Sequence, residues 1–179
     1  PATIDDSVLE ARLAALPVTS SNGLRRDMLL RASASNRQLN EVMTAFWDNH
    51  FNTDYHKHGH FEHEQADNAA FRRHALGRFR DLLGSVARSV AMLIYLDNAQ
   101  SHKRWPNENY ARELLELHTM GSGYTQGDID EVARAFTAQA VRPYMSPAVP
   151  ATATAPEQPA REVVPQPAGI PWDMNTKFT

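Results

Sequence analysis

The chain has 179 residues, 42% of them hydrophobic, and a net charge of −3 with no long run of either sign. That suits one domain with a proper core, and the lack of a basic stripe to track a phosphate backbone argues against nucleic acid as a partner. The longest apolar run, at 90–96, is far too short to span a membrane, and the absence of cysteine excludes disulfides and zinc–thiolate centres.

The opening PATIDD has neither the charged nor the apolar region of a signal peptide. The chain starts abruptly at Pro1 and stops abruptly at Thr179, which reads as a fragment of a longer protein. Residues 5–16 form a first helix capped by Asp5 or Asp6 and stopped by Pro17. Ser20 and Ser21 can cap a second, carrying Leu24, Met28 and Leu29. The clearest amphipathic helix runs over 36–52, where Leu39, Val42, Met43, Phe46, Trp47, His50 and Phe51 recur as one stripe expected to face the core.

Between 54 and 64 the pattern dissolves into DYHKHGHFEHE, and helices resume at 67–74 and 76–89. Ser89 caps a short buried helix through Leu96, with a buried strand as the rival for so short an apolar run. A polar loop follows over 98–106. Asn107 is a natural cap for a helix over 108–120, which Gly121 and Gly123 end. Thr125 and Asp128 approximate a capping box for a last helix to about residue 140. Eight of the eleven prolines fall between Pro143 and Pro171, a composition that does not bury enough apolar surface to offset its ordering entropy. The expected organisation is a helical domain over 1–142 and a proline-rich tail or linker over 143–179.

Two constellations could carry chemistry. On an α-helical wheel Asn109, Arg112, Glu113 and Glu116 share one face of the helix after Pro106, with Asp97, Asn98 and Asn107 nearby. Two carboxylates at i, i+3 can hold a hard cation or work as an acid and base pair; a salt-bridged, solvated face is the plainer reading. The second constellation is histidine-rich, with five of the eight histidines between His50 and His63. In an extended segment His56, His58 and His60 project to one side, and with His63 they make a candidate divalent-metal site. A mobile polar loop is the alternative. His50 and His118 fall on apolar faces, where a histidine is ordinarily a hydrogen-bonded core residue; facing one interior, they would form a polar pair near Asn49 or Asp97.

Five ordered blocks, FWDNHFN, RRHALGRFRDLL, AMLIYLDNAQS, NENYARELLELHTMG and GYTQGDIDEVARAFT, resemble the bacterial family known as domain of unknown function 1800 over roughly residues 39–138. The resemblance implies a largely helical fold and an exported, periplasmic or extracellular life, but no reaction. Family members continue the last block with a Gly-Trp pair where this chain has Ala138 and Gln139, and they carry a long further region. Because the blocks include the helix after Pro106 and exclude the histidine segment, they favour the helix as the site.

The expected architecture is all-α: a single orthogonal bundle of about six or seven helices with an irregular proline-rich tail. The leading functional expectation is a hydrolase acting on carbohydrate or another envelope polymer. In it Glu113 and Glu116 are catalytic, and Asn107, Asn109, Arg112 and Asp97 bind substrate. A non-catalytic scaffold with a protein partner and a histidine-based metal-binding protein are the alternatives.

Overall fold

The computed structural model describes residues 3–137, with every side chain but that of His58. Among these residues the chain is all-α. The expected boundary at 142/143 and the proline-rich segment lie outside the described residues. No helix described is long and apolar enough to cross a membrane.

The helices begin where short polar side chains can take the first free backbone amides. Asp5 caps α1 (Asp6–Ala14) and Ser20 caps α2 (Ser21–Ala34). An isolated parallel bridge between Ile4 and Ser35, with the Ser35 hydroxyl donating to Asp6 at 2.7 Å, ties the start of the chain to the end of α2. α3 (Gln38–His50) packs on α5 (Phe61–His74), and α6 (Phe79–Val86) follows α5 through a tight turn. Ser89 caps α7 (Val90–Tyr95), so the apolar run is a helix rather than a strand. A 3-10 turn at Asn98–Gln100 leads to α8 (Glu108–Glu113), which continues without a break as a π-helix over Leu114–Thr119. α9 (Gln126–Phe136) starts with the full Thr125–Asp128 capping box.

The main core gathers Phe51, Phe71, Leu82, Val86, Met92, Leu93, Leu96, Tyr110 and Phe136. A smaller cluster of Ala111, Ile129 and Ala133 joins α8 to α9; the two alanines let the helix backbones approach closely.

Two expectations are corrected. The histidine segment is not extended: Asp54 accepts from the His56 amide at 2.9 Å and starts a one-turn helix, α4 (Tyr55–His58). That turn ends at Gly59 in the left-handed region (φ 70°), and α5 begins at Phe61 rather than near residue 67. The second correction concerns α3. Its face toward α5 is polar, with Asn40 and Thr44 buried, and Glu41 takes the Arg72 guanidinium in a fork at 3.1 Å on each arm. Asp48 lies on the same side, its carboxyl pushed above the usual range by burial and by the neighbouring Glu64. The apolar stripe therefore splits. Phe51 is in the core at 1% exposure, whereas Leu39, Val42 and Phe46 remain 64%, 61% and 52% exposed. Desolvating the Arg72–Glu41 pair is tolerable because Asn68 accepts a further guanidinium bond at 2.9 Å.

Candidate functional site

A hollow of about 530 Å³ opens where the end of α3, α4, the end of α7, α8 and the π-helix meet. Each wall contributes polar groups. Asn49, His50 and Asn52 come from α3 and the residues after it, Lys57 from α4, and Tyr95 and Leu96 from the close of α7. Asn109 and Glu113 come from α8, and Leu117 and His118 from the π-helix.

The π-helix decides which groups reach the hollow. Its bonds run from residue i to i−5, and π turns inside α-helices concentrate at functional sites. The Met120 and Gly121 amides both donate to the Leu115 carbonyl, at 2.9 and 3.0 Å, and Gly121 closes the element in the left-handed region (φ 73°). Asn109 and Glu113 are stacked at α-helical spacing. The wider turn then brings His118, five residues past Glu113, to the same hollow and turns Glu116 away. A wheel drawn with α-helical spacing places these two residues the other way round.

His118 is buried, with its ring centroid 5.1 Å from Phe51 and 6.3 Å from His50. Its Nδ1 is buried with no hydrogen-bond partner among the described residues. Burial first, and the neighbouring His50 second, push its pKa down to about 4, so the ring is neutral near pH 7. His50 Nε2 lies 3.2 Å from the His118 carbonyl oxygen. A carbonyl only accepts, so that nitrogen carries the proton and Nδ1 of the neutral ring keeps its lone pair. The two histidines are thus the polar pair allowed for on sequence grounds, with the aromatic core as their floor.

Glu113 is half-buried and has no hydrogen bond or ion pair among the described residues. Carboxylates with most of their surface removed from water ordinarily find a partner. Asn109 is exposed at the rim, its amide donating to the Leu96 carbonyl at 3.3 Å. Lys57 is held by Asp97 at 2.9 Å and by the Tyr95 carbonyl. Asp97 itself does not line the hollow; it positions the lysine. It is also the single non-glycine residue with positive φ among the described residues, at 58°, a conformation aspartate tolerates better than most.

The remaining expected site residues lie elsewhere. Asn107 is structural: its Oδ1 accepts from the Asn109 amide at 2.8 Å and its side-chain amide donates to the Asp97 carbonyl at 3.2 Å. Arg112 belongs to a surface network with Glu108 and Gln126, each at 3.2 Å, that clips α8 to α9. Glu116 is exposed beside Tyr124, whose hydroxyl pKa is raised by burial and by that carboxylate. Glu113 thus lines the hollow and Glu116 is not among its lining residues.

His56 is exposed beside Asp54. His60 and His63 are neighbours, with ring centroids 5.2 Å apart and His60 3.9 Å from Glu62. The side chain of His58 is outside the described residues. Among those described, no three His, Asp or Glu side chains converge on a point that could hold a metal ion.

Sequence reasoning missed Lys57, Asn52 and Tyr95 as lining residues. FWDNHFN carries Asn49, His50 and Asn52 at consecutive and alternate positions, and that polar density at a helix end was the available signal. Nothing comparable marks Lys57 or Tyr95.

No curated protein and no solved structure matches the chain. The chain belongs to the family whose model is described as Protein of unknown function (DUF1800), which matches residues 9–164.

Proposed function

We propose that the hollow is the substrate site of a hydrolase acting on carbohydrate or another hydroxyl-rich envelope polymer, and that the protein works outside the cytoplasm. The observation that carries this reading is Glu113: a half-buried carboxylate with no partner among the described residues, facing a polar hollow. A carboxylate that faces a polar hollow with no partner among the described residues can serve as a general base toward water or a substrate hydroxyl. Three asparagine amides, from Asn49, Asn52 and Asn109, offer both donors and acceptors, the combination that hydroxyl groups need. Tyr95 and Leu117 supply apolar surface against which a sugar ring can lie.

In this scheme Glu113 takes the proton from a water molecule, whose oxygen attacks the scissile centre. As that bond forms the bond to the leaving oxygen breaks; Lys57, steadied by Asp97, faces the negative charge developing there, and Glu113 passes the proton it took from water to the departing oxygen. His118, neutral near pH 7, orients rather than donates protons, and His50 offers its Nδ1 lone pair. The exported setting follows from the family resemblance alone.

The test is incubation of bacterial envelope polysaccharides with the native chain and with Glu113→Gln, read by mass spectrometry of the released fragments. Fragments from the native chain and none from the variant support the proposal. Equal release by both, or release from neither, removes it. Saturable binding without release in the native chain would favour a binding module that uses the same hollow.

A further inference from the structure

A second surface, away from the hollow's polar wall, has features the hydrolase reading does not use. Leu39, Val42 and Phe46 occupy positions i, i+3 and i+7 of α3, so their exposed side chains form one apolar ridge. At its end the Phe46 ring meets Trp47 at 4.8 Å between centroids, and Trp47 meets Phe79 at 5.8 Å. Trp47 Nε1 donates to the Ala75 carbonyl at 3.0 Å, which brings the exposed Leu76 alongside. Leu76 also lines a second hollow of about 530 Å³, together with Arg37, Asn40, Arg72 and Arg73. The ridge and a cationic hollow are therefore continuous through Leu76. Exposed apolar surface of this extent, bordered by charge, marks interaction sites.

The charges select the occupant. Arg72 is neutralised by Glu41, but Arg73 is exposed with no ion pair among the described residues. Arg37 holds Asp6 only at 3.6 Å, with most of its side chain in solvent. The chain's own residues 138–179 carry three basic and three acidic side chains, so they bring no net negative charge to this surface. We propose that the ridge and the arginine hollow form a docking surface for a separate protein, which presents an acidic amphipathic helix. Its apolar side chains lie along Leu39, Val42 and Phe46, and its carboxylates meet Arg73 and Arg37. The geometry is that of an amphipathic helix laid on a hydrophobic face, with charge fixing its register.

The chain lacks cysteine, so Leu39→Cys carries a solvent-sensitive fluorophore at one site. The probe is a synthetic helical peptide of leucine and glutamate, compared with an isomer in which lysine replaces every glutamate at the same leucine spacing. In the full chain the free label should read water, then shift to the blue saturably with the acidic peptide. The lysine isomer should need at least about tenfold higher concentration, and Arg73→Glu or Val42→Asp should each weaken the acidic peptide by about tenfold. The proposal is overturned by equal response to the two peptides or by indifference to both substitutions. It is also overturned by a label already shielded in the free chain, which would assign the surface to residues 138–179. A shift that grows with protein concentration alone would assign it to a second copy and equally refute the acidic partner.

Discussion

Truncating Phe51 and Phe46 separately tests the inverted face of α3 more sharply than any other pair of substitutions. Both are aromatic, both lie at the C-terminal end of the same apolar stripe, and a periodicity argument assigns both to the core. In the structure Phe51 is 1% exposed, with Trp47, Phe71 and Phe79 at centroid distances of 6.0, 6.2 and 6.3 Å. A buried phenylalanine removes about 150–250 Å² from water, which at about 25 cal/mol per Å² amounts to about 4–6 kcal/mol as an upper bound. Phe51→Ala should therefore cost about 4 kcal/mol, in keeping with buried Phe→Ala changes. At about 2–4 °C per kcal/mol, the melting temperature should fall by about 10 °C. Phe46 keeps half its surface in water, touching Trp47 and stacking on His50 at 6.1 Å, so by the same area arithmetic Phe46→Ala should cost about half as much, about 2 kcal/mol. Urea unfolding followed by circular dichroism reads both, with the midpoint shifting at constant slope. Comparable losses in the two variants would refute the division of the stripe. A Phe51→Ala cost below about 1.5 kcal/mol would mean that the aromatic cluster is not enclosed.

Two further expectations follow from the site. His118 is held below its ordinary pKa, so the unfolded chain binds the proton more readily than the native one. Stability from this group is present above about pH 6.5 and is lost as the pH falls toward about 4. The difference in urea midpoint between the native chain and His118→Leu should therefore shrink on acidification through that window, and a difference constant across it would contradict the burial of the ring. Asn107→Ala removes a helix cap and should lower stability by about 1 kcal/mol. It should leave ligand affinity at the hollow unchanged once the variant is folded; calorimetry showing a large affinity loss at intact stability would return Asn107 to the site.

Local signals in this sequence translate directly into structure. Ser89, Asn107 and the Thr125–Asp128 pair cap helices because each needs only backbone amides two or three residues away. What failed to translate was decided by distant partners. The polar face of α3 is buried because Arg72, thirty-one residues on, forks onto Glu41. Asn40 likewise donates to the Arg72 carbonyl at 3.4 Å. No periodicity within α3 reports that. The histidine segment reads as irregular because it is divided between a one-turn helix, whose ends are set by Asp54 and Gly59, and the start of α5, with polar residues on several sides of each. The candidate site was half legible. Residue type and density identify Glu113 and Asn109; Arg112, on α8 with them, goes instead to the distant Gln126, and Glu116 falls beside them only under α-helical spacing. One π turn in LLELHT invalidates that spacing, and those residue types carry no mark of it. The same turn moves His118 from an apolar face into the hollow.

The central claim is that Glu113 serves ligand rather than fold. Its substitution separates the two because a carboxylate with no hydrogen bond or ion pair contributes little to stability, and neutralising it in place removes neither among the described residues. The decisive measurement is calorimetric titration of envelope oligosaccharides into the native chain and Glu113→Gln, with thermal unfolding of both. The account predicts saturable binding to the native chain and a loss of at least about tenfold in affinity, about 1.4 kcal/mol, in the variant. Unfolding free energies should agree within about 0.5 kcal/mol. Unchanged affinity in a folded Glu113→Gln, or a destabilisation of several kcal/mol, would contradict it.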